Sequence, residues 1–337
     1  MPLATLASLP ATDWQADIRA ARLTTAQLLD AVGITPETLP YSLDLTPDFA
    51  LKVPPHYLSL ITRGDPHDPL LRQVLARAEE RLDIAGTSTD PLHEADFTPT
   101  RGIIRKYGSR ALLMASGACA IHCRYCFRRH SDYGAAVLPP GDLGLALAAI
   151  TADPRIREVI LSGGDPLTLS DDRLGALIAA LATLPQLEGI RLHTRTLTTV
   201  PARVTPGLLA LLAECPKPVV IVVHTNHAQE LDATVAAALH QLRSTGATLL
   251  NQSVLLRGVN DSADVAEAHA RRLFACGVLP YYMHLFDPVA GAAHFDVPLA
   301  EARAIEDALR TRLPGYLVPR FVREVPGEAS KTPAWQL

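Results

Sequence analysis

Residues 119–130 read C-A-I-H-C-R-Y-C-F-R-R-H and contain three of the five cysteines in this 337-residue chain. Cys119, Cys123 and Cys126 follow the spacing C-x3-C-x2-C, so a short loop can turn three thiolates toward one site. A closed structural zinc site has four protein ligands, and an iron–sulfur cluster usually has four cysteines. Three thiolates therefore predict a metal centre with one open position, available to a ligand that is not protein.

A zinc knuckle is the alternative interpretation of this loop, with His122 or His130 as the fourth ligand. The chain would then be a zinc-binding interaction protein rather than an enzyme. The other two cysteines, Cys215 and Cys276, lie in apolar helical contexts, and we expect both to pack in the core.

Composition narrows the function classes. The chain is 48% hydrophobic and 20% charged, with a net charge of -4, which is typical of a globular protein and not of a general nucleic-acid or membrane binder. The longest apolar runs, such as 218–223, are too short to span a bilayer, and the first ten residues lack the pattern of a signal peptide. Clustered cysteines suit a reducing compartment, so we expect a cytoplasmic location.

From residue 110 onward, short apolar runs alternate with amphipathic segments. The runs recur roughly every 30 residues, the length of a βαβ unit, and predict a parallel sheet buried on both faces. Six units are too few for a closed eight-stranded barrel, so we expect a partial (β/α)6 barrel. The predicted strands are 111–115, 158–161, 190–193, 219–224, 248–254 and 280–285, and the predicted helices are 143–152, 171–184, 206–214, 231–244, 263–276 and 299–313.

A Pro-rich, mostly helical extension precedes this pattern, and we expect it to cover or brace the barrel. A capping box at 12–15 begins its first helix, Pro36 and Pro69 occupy first helical positions, and its longest helix runs over 68–82. A strand-like run at 316–325 follows the last barrel helix. The predicted division is a helical extension at 1–100, the barrel at 101–313 and a short C-terminal segment at 314–337.

Polar residues follow the predicted strands at the positions where parallel α/β folds place their active sites. The cysteine loop follows the first strand, and the turn Ser162-Gly163-Gly164-Asp165 follows the second. Arg195 comes after the third strand, Gln252 lies at the end of the fifth, and Asp287 follows the sixth. We therefore expect these residues to converge on one face.

Lys331 is the candidate nucleophile near the end of the chain. Lysine is the side chain that forms a Schiff base with pyridoxal 5′-phosphate (PLP). Glycine and small residues before Lys331 permit close backbone approach, and Pro333 stiffens the chain after it. The plainer alternative is a solvated surface charge.

The cysteine spacing, with aromatic Tyr125 just before the third cysteine, resembles the signature of the radical S-adenosylmethionine (radical SAM) enzymes. Over most of the chain the resemblance is to the lysine 2,3-aminomutases, in particular to the bacterial group that makes (R)-β-lysine for elongation factor P. The matching stretches are 119–130, 162–165, 195–203, 250–261, 280–287, 291–295, 315–319 and 331–333.

The resemblance implies three cofactors. A [4Fe–4S] cluster would bind Cys119, Cys123 and Cys126, and its fourth iron would bind S-adenosylmethionine (SAM), whose cleavage releases a radical that abstracts hydrogen. PLP would bind Lys331. The residues implied to contact SAM are Tyr125, Gly163, Gly164, Asp165 and Gln252, and Arg110 and Arg195 are candidates for the PLP phosphate or the SAM carboxylate.

The implied reaction converts L-lysine to β-lysine, in the R form, for use by elongation factor P and its lysyl-transferring ligase. Arg128 matches a clamp for the substrate carboxylate, and Asp287 matches a carboxylate for the side-chain ammonium. Glu324 stands where the family has an aspartate for the same ammonium, and its extra methylene is a departure. Two acids favour lysine over glutamate by charge, although a 2,3-aminomutase for another amino acid is the alternative. Plainer alternatives are surface ion pairs for Arg128 and Glu324 and a helix cap for Asp287.

A second departure lies after Lys331. Clostridial members of the family continue into a cysteine-bearing tail that binds zinc at a subunit contact, whereas this sequence ends at Leu337. We therefore expect no structural zinc, and the sequence leaves the formation of a homo-oligomer open.

Overall fold

The computed structural model describes residues 13–337 and contains one sheet of nine strands arranged in chain order. Strands β2 to β8 run parallel, whereas β1 and β9 pair antiparallel with β2 and β8. In the described chain β1 and β9 do not pair with each other, so the barrel is open, and the predicted partial barrel is confirmed. The strands are β1 Ile103–Tyr107, β2 Arg110–Ser116, β3 Glu158–Gly163, β4 Gly189–Thr194, β5 Val219–His224, β6 Thr248–Val254, β7 Leu279–His284, β8 Arg320–Arg323 and β9 Thr332–Pro333.

The helices that were predicted after each parallel strand are all present, each within two residues of its expected ends. Within residues 13–337 no helix is long and apolar enough to cross a membrane. The α-helices are α1 Trp14–Ala20, α2 Thr25–Val32, α3 Pro55–Leu60, α4 Pro69–Arg72, α5 Tyr133–Ala136, α6 Leu143–Thr151, α7 Asp171–Ala182, α8 Thr196–Thr199, α9 Pro206–Ala213, α10 Ala233–Arg243, α11 Ala263–Ala275 and α12 Leu299–Arg312.

The sheet packs apolar side chains beneath the helices on its outer face, whereas its inner face mixes polar and apolar side chains. On β4, Ile190 and Leu192 are fully buried in the core beneath the helices, whereas Arg191 and His193 line an internal cavity. This is the alternation of a strand with two different faces. The predicted parallel sheet is confirmed, and its inner face lines the cavity. As predicted, both remaining cysteines pack in the core between the sheet and the helices. Cys276 is buried in this core, and partly buried Cys215 packs against the core.

Strand β1 was not predicted. It turns back onto β2 with Tyr107 opposite Arg110, and it brings Lys106 to the cavity wall. At the other end of the barrel, the predicted run 316–325 contains β8, preceded by a short 3₁₀ helix at Gly315–Leu317.

The predicted helix over 68–82 was wrong. The chain instead forms α4, a turn at 73–75, an isolated β-bridge between Arg77 and Leu43, and a 3₁₀ helix at Ala78–Arg81. On either side of Arg77, Ala76 O accepts a hydrogen bond from Asp44 N, and Ala78 N donates to Ser42 O. Residues 74–76 are all buried, so backbone pairing and burial on every side outweigh helix propensity.

The extension forms its own apolar core against the cysteine loop. Leu28, Tyr57 and Leu71 pack in this core together with Ile121 of the loop. At the start of the extension, the Asp13 side chain caps α1 by accepting hydrogen bonds from Gln15 N and Ala16 N. Thr12 of the expected capping box lies outside the described residues.

Asp68 joins the extension to the barrel. Its Oδ1 accepts from Leu70 N at 2.8 Å and Leu71 N at 2.9 Å, which caps α4. Its Oδ2 accepts from Thr62 N and from Gln229 Nε2, both at 2.8 Å. The side chain is 1% exposed, so water cannot replace these bonds.

We predict that Asp68→Ala lowers the free energy of unfolding by about 2–4 kcal/mol, because it removes a helix cap and leaves buried donors without an acceptor. Urea denaturation measures this change. The control is Asp65→Ala, which removes one exposed bond to His67 N and should cost about 0.5 kcal/mol. Equal losses in the two variants would contradict the role given to Asp68.

Candidate active site

A single cavity of about 280 Å³ brings together every residue that the sequence analysis assigned to the site. It opens at the ends of the parallel strands, where Gly163, Thr194 and His224 lie on its wall. The predicted residues that line it are Arg110, Cys119, Cys123, Tyr125, Cys126, Arg128, Gly163, Gly164, Asp165, Arg195, Gln252, Asp287, Glu324 and Lys331.

The extension holds the cysteine loop in place. Glu80 of the extension pairs with Arg124 and with Arg129, whose Nη2 lies 2.6 Å from Glu80 Oε2. The Glu80 side chain is only 3% exposed, and the two guanidinium groups keep its pKa below the ordinary value despite burial. Lys52 Nζ also donates to Cys119 O. The loop is therefore shaped by contacts from outside itself.

The three cysteines line the same cavity, and each has little exposure to water. Burial raises the pKa of the Cys119 thiol well above its ordinary value, and nearby Cys126 adds to the rise. Burial also raises the pKa of Cys126 to about 11, with a further contribution from Cys123. Deprotonation of these thiols therefore requires a nearby positive centre, which the iron of an iron–sulfur cluster supplies.

The two histidines of the zinc-knuckle alternative lie elsewhere. His122 bonds through Nδ1 to Ala50 O at 2.7 Å, and His130 bonds through Nε2 to Ala290 O at 2.9 Å. Neither lines the cavity on which the cysteines open. Among residues 13–337, no three His, Cys, Asp or Glu side chains are arranged to hold a single ion.

The glycine turn packs directly on the cysteine loop. Gly163 has a φ of +114°, and a Cβ on it would lie 2.4 Å from Ser116 O. A Cβ on Gly164 would lie 2.4 Å from Ala118 O, so neither position accepts a side chain without displacing backbone. The Asp165 carboxylate fixes the turn, since it accepts from Thr194 Oγ1 and Arg195 N.

Arg195 lies at the cysteine end of the cavity. Its Nη1 donates to Cys123 Sγ at 2.7 Å and contacts the Tyr125 hydroxyl. Its Nη2 donates to Gln73 Oε1 at 2.9 Å and Glu230 Oε2 at 3.0 Å. The Tyr125 hydroxyl also bonds His224 Nε2 at 2.7 Å, so a buried polar network surrounds this end.

Arg128 is held by a residue that the sequence analysis missed. Its Nε and Nη2 each donate to the Glu94 carboxylate at 2.7 Å, and its Nη1 donates to Gly163 O at 3.0 Å. The pair is largely buried, so it is not the surface ion pair considered as an alternative. A guanidinium has five N–H groups, so two of those on Arg128 are left for a ligand.

Lys331 lies at the other end of the cavity, beside Glu324. The Glu324 carboxylate pairs with Lys331 and also accepts from Lys106 Nζ at 2.9 Å. Burial works to raise the pKa of Glu324, but the two lysines outweigh it and lower that pKa to about 2. Glu324 is therefore ionised, and Lys331 is not a solvated surface charge.

The Asp287 carboxylate has one oxygen atom that accepts no hydrogen bond from the protein. Its Oδ1 is buried and has no hydrogen-bond partner, and no helix of the described chain begins at this residue. Burial raises the pKa of Asp287 to about 7, because attraction to Lys331 offsets only part of the effect and Glu324 adds to it. A buried acceptor without a partner marks a place for a donor from a ligand.

Other residues on the wall had no assignment from sequence. His193 and His284 are partly buried, and loss of hydration lowers the pKa of both, to about 3 for His284, so both are neutral. The alternation along β4 and β7 was the signal that could have identified them. Glu94 and Lys106 had no such signal, because they lie outside the predicted strands.

The comparisons with known proteins agree with this geometry. Residues 114–267 match the family model described as the radical SAM superfamily. The L-lysine 2,3-aminomutase of Escherichia coli is 45% identical over 285 residues, which are 85% of this chain and 83% of that protein. This chain belongs to the lysine 2,3-aminomutase family. The aminomutase of Haemophilus influenzae is 43% identical, over 90% of each chain.

More distant relatives extend the same family. The L-lysine 2,3-aminomutase of Clostridium subterminale is 35% identical over 95% of this chain and 77% of that protein. Among solved structures, a radical SAM methyltransferase from Sphaerobacter thermophilus has a TM-score of 0.47 at 20% identity, over 65% of this chain and 68% of that one. Membership of the aminomutase family makes this chain an isomerase, with a [4Fe–4S] cluster, SAM and PLP as its cofactors.

We predict that Glu80→Gln lowers the free energy of unfolding by about 3–5 kcal/mol, because two buried guanidinium groups lose their anionic partner. Loosening of the loop should also lower the iron-to-protein ratio after anaerobic reconstitution, measured by iron analysis. The matched control is Glu79→Gln, whose side chain is 47% exposed and lies 3.6 Å from Arg77. Normal iron content in Glu80→Gln would show that the loop does not depend on this carboxylate.

Proposed function

We propose that this aminomutase converts free L-lysine to β-lysine by moving the amino group from the α-carbon to the β-carbon. One observation carries the proposal. The cysteine loop, Lys331 and Asp287, whose Oδ1 has no hydrogen-bond partner, all line one cavity. The relatives named L-lysine 2,3-aminomutase support the same substrate.

The proposal extends to the fate of the product. The resemblance noted above points to (R)-β-lysine, made in the cytoplasm and passed to elongation factor P through its lysyl-transferring ligase. We propose a role for each of three units. The N-terminal residues 1–100 would brace the barrel, the barrel at 101–313 would generate the radical, and the segment at 314–337 would bind PLP.

The bound cofactors would supply a hydrogen-abstracting radical and a π-system that delocalises the unpaired electron while the nitrogen moves between the two substrate carbons. Cys119, Cys123 and Cys126 would hold the cluster, and the backbone of the glycine turn, Tyr125 and Gln252 would hold SAM. Lys331 would anchor PLP and give up this attachment to the substrate amine. Arg110, which lines the cavity and stacks over Tyr107, is the candidate for the PLP phosphate.

Charge would orient the substrate. The two free N–H groups of Arg128 would hold the α-carboxylate, which favours a free amino acid over a lysine within a protein. Asp287 would accept the side-chain ammonium, and ionised Glu324 would add attraction from nearby. A substrate carboxylate in place of that ammonium would be repelled, so glutamate is disfavoured.

The deciding experiment is a chiral assay of the product. Anaerobically reconstituted protein with SAM, PLP, a low-potential reductant and free L-lysine should yield (R)-β-lysine, separated on a chiral column. Lys331→Ala should abolish product and the PLP absorbance but keep its iron, because the lysine does not contact the cysteines. Absence of β-lysine from the wild type, or conversion of glutamate instead, would refute the proposal.

We predict that Asp287→Asn lowers kcat/KM for L-lysine by about 10- to 100-fold, the loss expected for one charge-assisted hydrogen bond. The pKa of Asp287 is raised to about 7, so the carboxyl is protonated below that pH and binds an ammonium poorly. In the wild type kcat/KM should therefore rise as pH increases through about 7. The Asn variant should lose this rise.

The matched control for this prediction is Asp296→Asn, because Asp296 is exposed and does not line the cavity. Its activity and pH profile should match those of the wild type. If Asp287→Asn kept the wild-type kcat/KM and its rise with pH, the ammonium would bind elsewhere.

A further inference from the structure

A guanidinium group lies directly against one of the cluster cysteines. Arg195 follows β4, its side chain is 7% exposed, and its Nη1 donates to Cys123 Sγ at 2.7 Å. The spacing of the cysteines did not point to this contact.

The position of Arg195 is fixed from several directions. Its backbone N donates to Asp165 Oδ2 at 2.7 Å, and its Nη2 donates to Glu230 Oε2 at 3.0 Å. Glu230 is fully buried, and Gln73 of the extension accepts a further bond at 2.9 Å. The guanidinium is thus held by the turn, the barrel and the extension together.

The remaining donors of Arg195 argue against a role in holding a phosphate. Nη1 and Nη2 are both engaged by protein groups, and only the buried Nε has no hydrogen-bond partner. A phosphate clamp presents two adjacent free N–H groups. The side chain instead presents one donor edge to a sulfur atom.

We propose that Arg195 raises the reduction potential of the cluster through its hydrogen bond to the Cys123 sulfur. Hydrogen bonds to the sulfurs and nearby charge are known determinants of cluster potential. A fixed cation stabilises the reduced cluster more than the oxidised one, because the reduced form carries one more negative charge. Burial strengthens this effect, since little water screens the charge.

The step concerned is the transfer of one electron to the cluster from a low-potential reductant, with no bond or proton change at Arg195. Arg195 is therefore a positioning residue rather than a catalytic one. The proposal depends on the cluster assignment of the cysteine loop and not on the identity of the substrate. Failure to form β-lysine would leave it standing.

The test is a redox titration of the reconstituted protein without SAM, followed by the electron paramagnetic resonance signal of the reduced cluster. Arg195→Gln should shift the midpoint to more negative values. A tenfold decrease in the equilibrium constant for one-electron reduction corresponds to a shift of about 59 mV. Arg195→Lys, which keeps the charge but not the geometry, should shift it less.

Two further variants make the sign of the effect informative. Glu230→Gln removes the anion that partly neutralises Arg195, so its midpoint should move to more positive values. Arg191→Gln removes a cation that lines the same cavity but pairs with Glu158, and its midpoint should not change.

Iron and sulfide content are measured in every variant. An unchanged midpoint in Arg195→Gln at wild-type iron content would overturn the proposal, as would an equal shift in Arg191→Gln. If Arg195→Gln failed to retain its cluster, unchanged midpoints in both Arg195→Lys and Glu230→Gln would overturn it instead.

Discussion

The buried ion pairs of Glu80 with Arg124 and Arg129 are the constraint on which the site depends. Removing three charged groups from water is costly, and only close, multiple hydrogen bonds offset that cost. Here one carboxylate engages two guanidinium groups that flank the third cysteine. The cysteine loop therefore takes its shape from the extension, which is a structural part of the active site and not a separate cover.

The site has two ends with different charge environments. At the cysteine end, Arg195 and Arg128 bring cations to sulfur and to the glycine turn. At the lysine end, Glu324 and Asp287 bring anions to Lys331, and they differ from each other because only Glu324 is already paired. An amino acid with a carboxylate at one end and an ammonium at the other matches this polarity.

The barrel and the chemistry of its strand ends could be predicted because they follow short-range rules. Apolar runs of strand length, helical periodicity and the cysteine spacing are all local patterns. The helix expected at 68–82 failed because pairing of Ala76 and Ala78 with residues 42–44 is a tertiary effect. Glu94 and Lys106 escaped notice for a related reason, since each acquires its role only from a partner distant in sequence, Arg128 or Glu324.

The Lys106–Glu324–Lys331 contacts lie between the two open edges of the sheet. Lys106 belongs to the first strand, Glu324 follows the eighth and Lys331 precedes the ninth, so these side chains span the seam that backbone hydrogen bonds leave unclosed. Ion pairs, rather than backbone pairing of strands, connect the two edges of the barrel there. A ligand that engages Lys331 takes one of the two lysines away from Glu324, whereas the bond from Lys106, which joins the first strand to the end of the eighth, uses the other carboxylate oxygen and can persist.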